Sequence, residues 1–287
     1  MTSTVPCDHR GSSARLVVAR PFLKWAGGKT HLISGHAHFF PAVDSIRTYH
    51  EPFVGSAAVF FGLRPACAVL SDSNAELIHC YAQIRDNVDA VITALAGHRY
   101  DEDHFYVVRK ADPRYLSPAE RAARTIFLNR VGWNGLYRVN SRGEFNVPFG
   151  RHTNPRICDA PNLRAVASAL RGVDLRVAPF EAVLDRAKEG DFVYLDPPYV
   201  PVSATSNFTA YDREGFGVRE QRRLAAVVAE LSDAGIRVMV SNSYTPLVVE
   251  LYQALRGFRM ELIDVRRAIN SKADARGPVR EVVVVNY

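Results

Sequence analysis

Short apolar runs bounded by turn residues alternate with stretches of helical periodicity along most of this 287-residue chain. That alternation limits the fold more than any other feature. The runs are TYHEPFV (48–54), CAVLSD (67–72), LRVAPF (175–180), DFVYLD (191–196) and IRVMVSN (236–242). Between them lie the helical stretches AAVFFGL (57–63), Asn74 to Leu95, and 219–234, the last closed by Gly235. Strands separated by helices predict an α/β fold with a doubly wound, mostly parallel sheet. Near the end, MELIDVRR and EVVVVNY follow one another across a loop containing Gly277-Pro278. Two strands in succession predict an antiparallel pair at the edge of that sheet.

From about residue 76 to 155 the rhythm breaks. A helix, SPAERAARTIFLN, with Ser117 or Asp112 as its cap, is followed by a glycine- and asparagine-rich run. The interval reads as a mainly helical lobe, 76–155, inserted between two halves of one domain, 16–75 and 156–287. The charge sits in the same place. Between His104 and Arg156 there are ten Lys or Arg against three Asp or Glu, a local +7, so the rest of a chain of net charge +6 sums to −1. Nine of those ten cations are arginine, and Phe, Tyr and Trp are interleaved with them. A charge run is often only a solvated helix face. Arginine both grips phosphate and stacks on bases, so this mixture points to nucleic acid.

Other classes are excluded by what the chain lacks. No apolar run reaches the roughly 20 residues that span a bilayer. The first fifteen residues, MTSTVPCDHRGSSAR, have no apolar core, so they read as a disordered tail and not a secretory signal. Cys7, Cys67, Cys80 and Cys158 lie far apart with no CxxC pair, which argues against a disulfide framework or zinc site and fits a reducing cytoplasm.

Two short motifs could carry chemistry. Gly-Gly-Lys-Thr at 27–30 has the look of a phosphate loop, but that pattern needs a glycine where Leu23 stands. Asp196-Pro197-Pro198-Tyr199 follows the apolar strand FVYL, at the strand end where open α/β sheets place ligands. Two prolines fix φ and leave rigid carbonyls without amide hydrogens. An acid, a fixed carbonyl and an aromatic ring suit a flat group bearing an NH2, such as a nucleobase amine. Acceptors that hold its hydrogens out of the ring plane would localise the nitrogen lone pair. The same four residues also occur as a plain turn after a strand. Glu51 to Phe60, EPFVGSAAVF, reads as strand, small-residue turn and helix, a geometry that brings backbone close to a nucleoside. Glu51, Phe53 and Gly55 are its candidate contacts, and Asp72, 17 residues after Gly55, is placed to take ribose hydroxyls. A phosphate-binding glycine fingerprint is absent, so a nucleoside without phosphates, such as S-adenosyl-L-methionine, fits better.

Five blocks, PFLKWAGGK, EPFVGSAAVFF, LSDSN, FLNRVGWNGLYRVNSRGEFNVPFG and GDFVYLDPPY, stand in one order over Pro21 to Tyr287. In this the chain resembles the adenine-N6-specific DNA methyltransferases of the DNA adenine methylase class. The resemblance implies a Rossmann-like S-adenosylmethionine-dependent methyltransferase sheet with an inserted target-recognition domain. It implies methyl transfer to a flipped-out adenine in double-stranded DNA, in GATC, without a covalent enzyme intermediate. Trp25 and Lys29 would lie over the cofactor, with Lys29 near its carboxylate and Phe180 near its adenine, although Trp25 and Phe180 also suit ordinary core positions. Asp196, Pro197, Pro198 and Tyr199 would form the base pocket. Lys24, Trp133, Asn134, Leu136 and Arg138 would reach bases, with Pro148 and Arg151 supporting the loop and backbone. Asn134-Gly135 also suits the turn of a hairpin. The implied partner is DNA alone, bound by a monomer that needs no obligatory protein partner or membrane, with a cognate restriction endonuclease as an optional companion. One departure is Ala57, where the family usually has glycine; an alanine is tolerated there if its φ is negative. Adenine in a different short DNA site, an RNA base or a protein amide as substrate, and a catalytically silent DNA-binding protein, are the competing readings.

Overall fold

The computed structural model describes residues 17–25, 27–200, 216–266 and 278–287. The expected tail at 1–15 and the loop through Gly277 lie outside them. In chain order the elements are α1 (Thr30–Gly35), β1 (Tyr49–Glu51), α2 (Ala58–Leu63), β2 (Ala68–Asp72), α3 (Ala75–Ala96), α4 (Glu102–Lys110), α5 (Pro118–Val131) and α6 (Ala160–Ala169). They continue with β3 (Asp174–Val177), β4 (Phe192–Leu195), α7 (Val218–Asp233), β5 (Arg237–Ser243), α8 (Pro246–Gln253), β6 (Arg259–Arg266) and β7 (Pro278–Val285). The strands form one sheet in the order β3-β2-β1-β4-β5-β7-β6. β1 to β5 pair in parallel, and β7 runs antiparallel to both β5 and β6. The terminal pair lies at the edge, as the sequence implied.

The apolar runs explain the layering. Alternate residues of a strand face opposite sides. Phe192 and Tyr194 of β4 therefore enter one apolar cluster, with Tyr49, Leu70 and Val283. Val193 and Leu195 enter the other, with Leu224, Val228 and Val284. A sheet covered on both faces needs continuous rather than alternating hydrophobicity, which is what FVYL supplies. β1 is short because Pro52 has no amide to extend the ladder.

The connection from β2 to β3 carries α3 to α6. Asn74 caps α3, its side chain accepting from the amides of Glu76 and Leu77. Of the two caps suggested for α5, Ser117 serves, in a capping box with Glu120, while Asp112 caps the 3₁₀ turn Pro113–Tyr115. Arg121 and Thr125 of α5 converge on Glu76 at 2.6 and 2.8 Å, tying α5 to α3. Phe105, Ile126 and Phe127 share the apolar cluster of the sheet, so this segment is anchored in the main core. Among the described residues no helix is long and apolar enough to cross a membrane.

Strand order also positions the site. β1 leads to β2 on one side and β4 to β5 on the other, so their connections diverge and a crevice opens at the carboxyl ends of β1 and β4. Glu51 ends β1, and Asp196 directly follows β4.

Candidate active site

The Asp196–Tyr199 corner is held from behind. Gln221 of α7 donates to the Pro198 carbonyl at 3.0 Å and accepts from Asn242 of β5 at 3.0 Å. Ser243 donates to the Val200 carbonyl at 2.6 Å. With Pro198 engaged, the acceptor the corner leaves for a ligand is the Pro197 carbonyl, which has no donor among the described residues. The Tyr199 hydroxyl donates to Glu281 of β7 at 2.9 Å.

Lys29, at the start of α1, is only 3% exposed, and its Nζ lies 2.9 Å from Asp196 Oδ1. It also donates to the Gly27 carbonyl and stands 4.5 Å above the centre of the Tyr199 ring, a cation–π contact. The approach to Asp196 is a charge contact without hydrogen-bond alignment, because that buried oxygen has no aligned donor. Burial pushes the Asp196 carboxyl up to about 6, against the opposing pull of Lys29. Glu51 is pushed up further, to about 8, by burial, although the Tyr49 hydroxyl donates to it at 2.8 Å. It is therefore mostly protonated at neutral pH. Asp72 is also raised by burial, which the amides of Asn74 and Gly55 partly offset. Burial would raise Glu281 too, but His31, Lys29 and Tyr199 together hold it below the usual carboxylate range. The His31 ring is 3.5 Å from Glu281, a charge neighbour more than a good hydrogen bond.

Beside this charge cluster is a cluster of aromatic rings. Phe53 stacks on Phe180 with centroids 5.4 Å apart and 24° between planes, and Phe216 meets both. Gly55 turns at φ +45°, with Trp25 so close that a Cβ would lie 2.9 Å from its ring. Only glycine fits there. Tyr81 donates to the Gly55 carbonyl at 2.9 Å, and the Gly55 amide faces Asp72 at 3.4 Å. The expectation for Ala57 needs correction: its φ is +54°, not negative. The left-handed conformation costs an alanine roughly 1–2 kcal/mol. Its methyl is fully buried, which returns about 0.8 kcal/mol, so much of the strain is offset.

The residues expected to read DNA surround a second clamp, Asn129, which is fully buried. Its amide donates to the carbonyls of Lys24 and Gly135 at 2.7 and 2.8 Å, and its oxygen accepts from the Lys24 amide at 2.8 Å. The same clamp thus fixes the Lys24 segment and the turn after α5. Trp25 stacks on Tyr137, 5.5 Å between centroids, linking the aromatic cluster to the loop after α5. Trp133 is 49% exposed and Leu136 is exposed beside it. Asn134 is half-buried. Trp133 donates its amide to the Pro148 carbonyl at 2.9 Å. Arg138 is exposed, its Nε donating to Asn146 at 2.7 Å, and Arg151 is exposed further along.

Asn134-Gly135 does not turn the hairpin. Both residues have positive φ, but they close a 3₁₀ turn (Trp133–Gly135) at the base of the loop. Gly135 is required there because a Cβ would meet Lys24 at 2.4 Å. Bridges pair Gly132 with Phe149 and Val139 with Phe145, so the hairpin turns at Asn140–Glu144, where the Asn140 amide donates to Glu144.

The structure thus brings Lys29, Asp196, Tyr199 and Glu51 to one crevice, Trp25, Phe53, Gly55, Asp72 and Phe180 to the adjoining aromatic cluster, and the residues expected to read DNA to the loop beyond. Sequence reading missed Asn129, Gln221, Asn242 and Glu281. The signals were weak: a lone amide in the apolar run IFLN, and a lone acid opening EVVVV. Asn129→Ala, which strands the Gly135 carbonyl and the part-buried amide and carbonyl of Lys24, is expected to lower unfolding free energy by about 2–3 kcal/mol in urea titration. A loss under about 0.5 kcal/mol, the size of an ordinary surface change, would deny it the clamp role.

Comparison with known proteins agrees with this geometry. Residues 25–269 match the family model of D12 class N6 adenine-specific DNA methyltransferases. The chain is 40% identical to the type II methyltransferase M1.LlaDCHI of Lactococcus lactis subsp. cremoris, covering 93% of this chain and 95% of that protein. It is 37% identical to the type II methyltransferase M.MjaIII of Methanocaldococcus jannaschii, over 93% and 99%. Against the DNA adenine methylase of Escherichia coli K12 it is 35% identical, over 93% and 95%. The corner at Asp196, the seven-stranded sheet and these likenesses agree: the chain belongs to the D12 class of N6 adenine-specific DNA methyltransferases.

Proposed function

We propose that this chain methylates the N6 amine of an adenine swung out of duplex DNA, in GATC, with S-adenosyl-L-methionine as methyl donor. The observation that carries the reading is the rigid corner at the switch point, which offers two acceptors, a buried Asp196 oxygen without an aligned donor and the Pro197 carbonyl. The residues fit the cofactor. A glycine cradle with no room for a Cβ, a half-buried Phe53 stacked on Phe180, and the half-buried carboxyls of Asp72 and Asp196 suit a nucleoside with a cationic tail. Trp25, Lys29, Glu51, Phe53, Gly55, Asp72, Phe180 and Asp196 would hold it, Asp72 on the ribose and Lys29 toward the carboxylate. S-adenosyl-L-methionine, when bound, supplies a sulfonium-activated methyl group.

The protein's own part is to prepare the amine. Asp196 and the Pro197 carbonyl accept its two hydrogens, Pro198 keeps the corner rigid, and the Tyr199 ring stacks on the base. The acceptors draw the hydrogens out of the ring plane, which localises the lone pair on nitrogen. Acceptors in a dry site make stronger hydrogen bonds than they would in water. With its carboxyl at about 6, Asp196 is ionised at neutral pH yet basic enough to take the surplus N6 proton.

Extruding the base costs on the order of a few kcal/mol. Trp133 and Asn134 would fill the gap, Leu136, Arg138 and Lys24 would touch bases, and Pro148 and Arg151 would support the loop and the phosphate backbone. The segment 76–155 serves as the target-recognition part, with 16–75 and 156–287 as the catalytic part. The protein acts as a monomer in the cytoplasm, on nucleoid DNA. The names of the two type II methyltransferase relatives support a cognate restriction endonuclease as its companion.

Asp196→Ala is expected to abolish transfer of labelled methyl to duplex DNA while leaving DNA binding intact; retained turnover would remove the acid from its role. The turnover number should fall as pH drops through about 6, since the protonated carboxyl loses its acceptor strength. Lys29→Met removes a charge that holds that value down, so the acid limb should move to higher pH; an unmoved limb would contradict the pairing. Arg138→Ala should relax the choice of site in sequenced, methylated DNA, costing ~1–3 kcal/mol of discrimination, and an unchanged GATC profile would count against base readout.

A further inference from the structure

We propose that Glu281 is a positioning residue, which holds the Tyr199 ring in place for the target base through the hydrogen bond to its hydroxyl. This rests on the reading of Tyr199 as the stacking surface.

A carboxylate at the head of Val282–Val285, four fully buried valines, is costly unless it is satisfied. Glu281 has its partners at the reaction corner: the Tyr199 hydroxyl at 2.9 Å and the His31 ring at 3.5 Å. Its place in the sheet explains the reach. Glu281 of β7 lies opposite Ser243 of β5, and side chains of directly opposed antiparallel residues share one face. Ser243 donates to the Val200 carbonyl, one residue past Tyr199, at 2.6 Å. The β5–β7 pair therefore holds the Asp-Pro-Pro-Tyr corner twice, by backbone through Ser243 and by ring through Glu281.

The two holds do different work. The prolines, with Gln221 and Ser243 behind them, fix the backbone, but the Tyr199 side chain still has its own torsions, and rotation about χ2 is broad. The hydroxyl lies on the χ2 axis, so its anchor fixes χ1 and the position of the ring's tip, and the preference of a phenol O–H for the ring plane biases χ2 as well. A stacked base needs its platform parallel to it, and a displacement near 1 Å can cost about a hundredfold in rate. A carboxylate acceptor suits the task, because a charge-assisted bond is shorter and stronger than a neutral one.

The competing role for Glu281 is simple charge balance against Lys29 and His31. Three changes and one double variant separate the two on the full-length protein, with an adenine-containing duplex for turnover and the same duplex carrying 2-aminopurine at the target position for base stacking. Glu281→Ala and Tyr199→Phe should each lower turnover roughly ten- to a hundredfold. The double variant should stay within about threefold of the poorer single one, since both break the same bond. Glu281→Gln keeps an acceptor but no charge, and should recover most of the loss. The emission of bound 2-aminopurine should change alike in Glu281→Ala and Tyr199→Phe, while DNA affinity holds within about twofold. Multiplying losses, a Glu281→Gln variant as poor as the alanine, or wild-type emission in Glu281→Ala would each overturn the proposal. If Glu281→Ala does not fold, Glu281→Gln and Tyr199→Phe, which preserve volume, carry the same comparison. All arms are read against wild-type turnover on adenine, so a wild-type protein that left adenine unmodified would instead fail the broader reading.

Discussion

Removing the Asp196 carboxylate from water is the costly act around which this protein is arranged. Desolvating a carboxylate and an ammonium costs several kcal/mol for each ion, and only close pairing and further hydrogen bonds offset it. Lys29 supplies the pairing at 2.9 Å, and its own charge is shared with the Gly27 carbonyl and the Tyr199 ring. Without the cation the acid would be far harder to ionise; with it, the carboxyl rests near 6. A dry, ionised acceptor at the end of a parallel strand is the chemical asset of the fold, and the strand order β1-β4 puts Glu51 beside it.

That asset is coupled to DNA reading through few residues. Asn129 holds the Lys24 backbone and the Gly135 turn together, and Trp25 lies between the Gly55 cradle and Tyr137. Lys24 and Trp25 are adjacent, so one is held to the Asn129 clamp while the next packs between Gly55 and Tyr137. A two-residue link of this kind makes the loop after α5 and the Gly55 turn mechanically related. It also accounts for Gly-Gly-Lys looking like a phosphate loop: the glycines let the chain pass close to the crevice, and the lysine is used for a carboxylate.

Much of this was readable from residues alone, for a physical reason. Buried parallel strands need unbroken apolar runs, and FVYL and RVMVSN announce them; the acid after FVYL then lands at the strand end by geometry. Ser117 was recognisable as a cap because capping depends on local sequence. The misses were all long-range. Glu281 reaches Tyr199 across 82 positions and Asn129 reaches Lys24 across 105, contacts that no local pattern encodes. Ala57 was misjudged because its left-handed φ follows from the close turn at Val54–Ala57, which only the folded backbone reveals. Asn134-Gly135 is a true left-handed turn, but the strand bridges put the hairpin tip elsewhere.

The most direct test is a crystal structure of the protein with a GATC duplex and a non-reactive cofactor analogue. The account predicts the target adenine outside the helix, its ring on Tyr199, and its N6 at hydrogen-bond distance, about 3 Å, from both Asp196 and the Pro197 carbonyl. An adenine still stacked in the duplex within a fully bound complex, or one in the pocket with its N6 out of hydrogen-bond reach of Asp196, would contradict it.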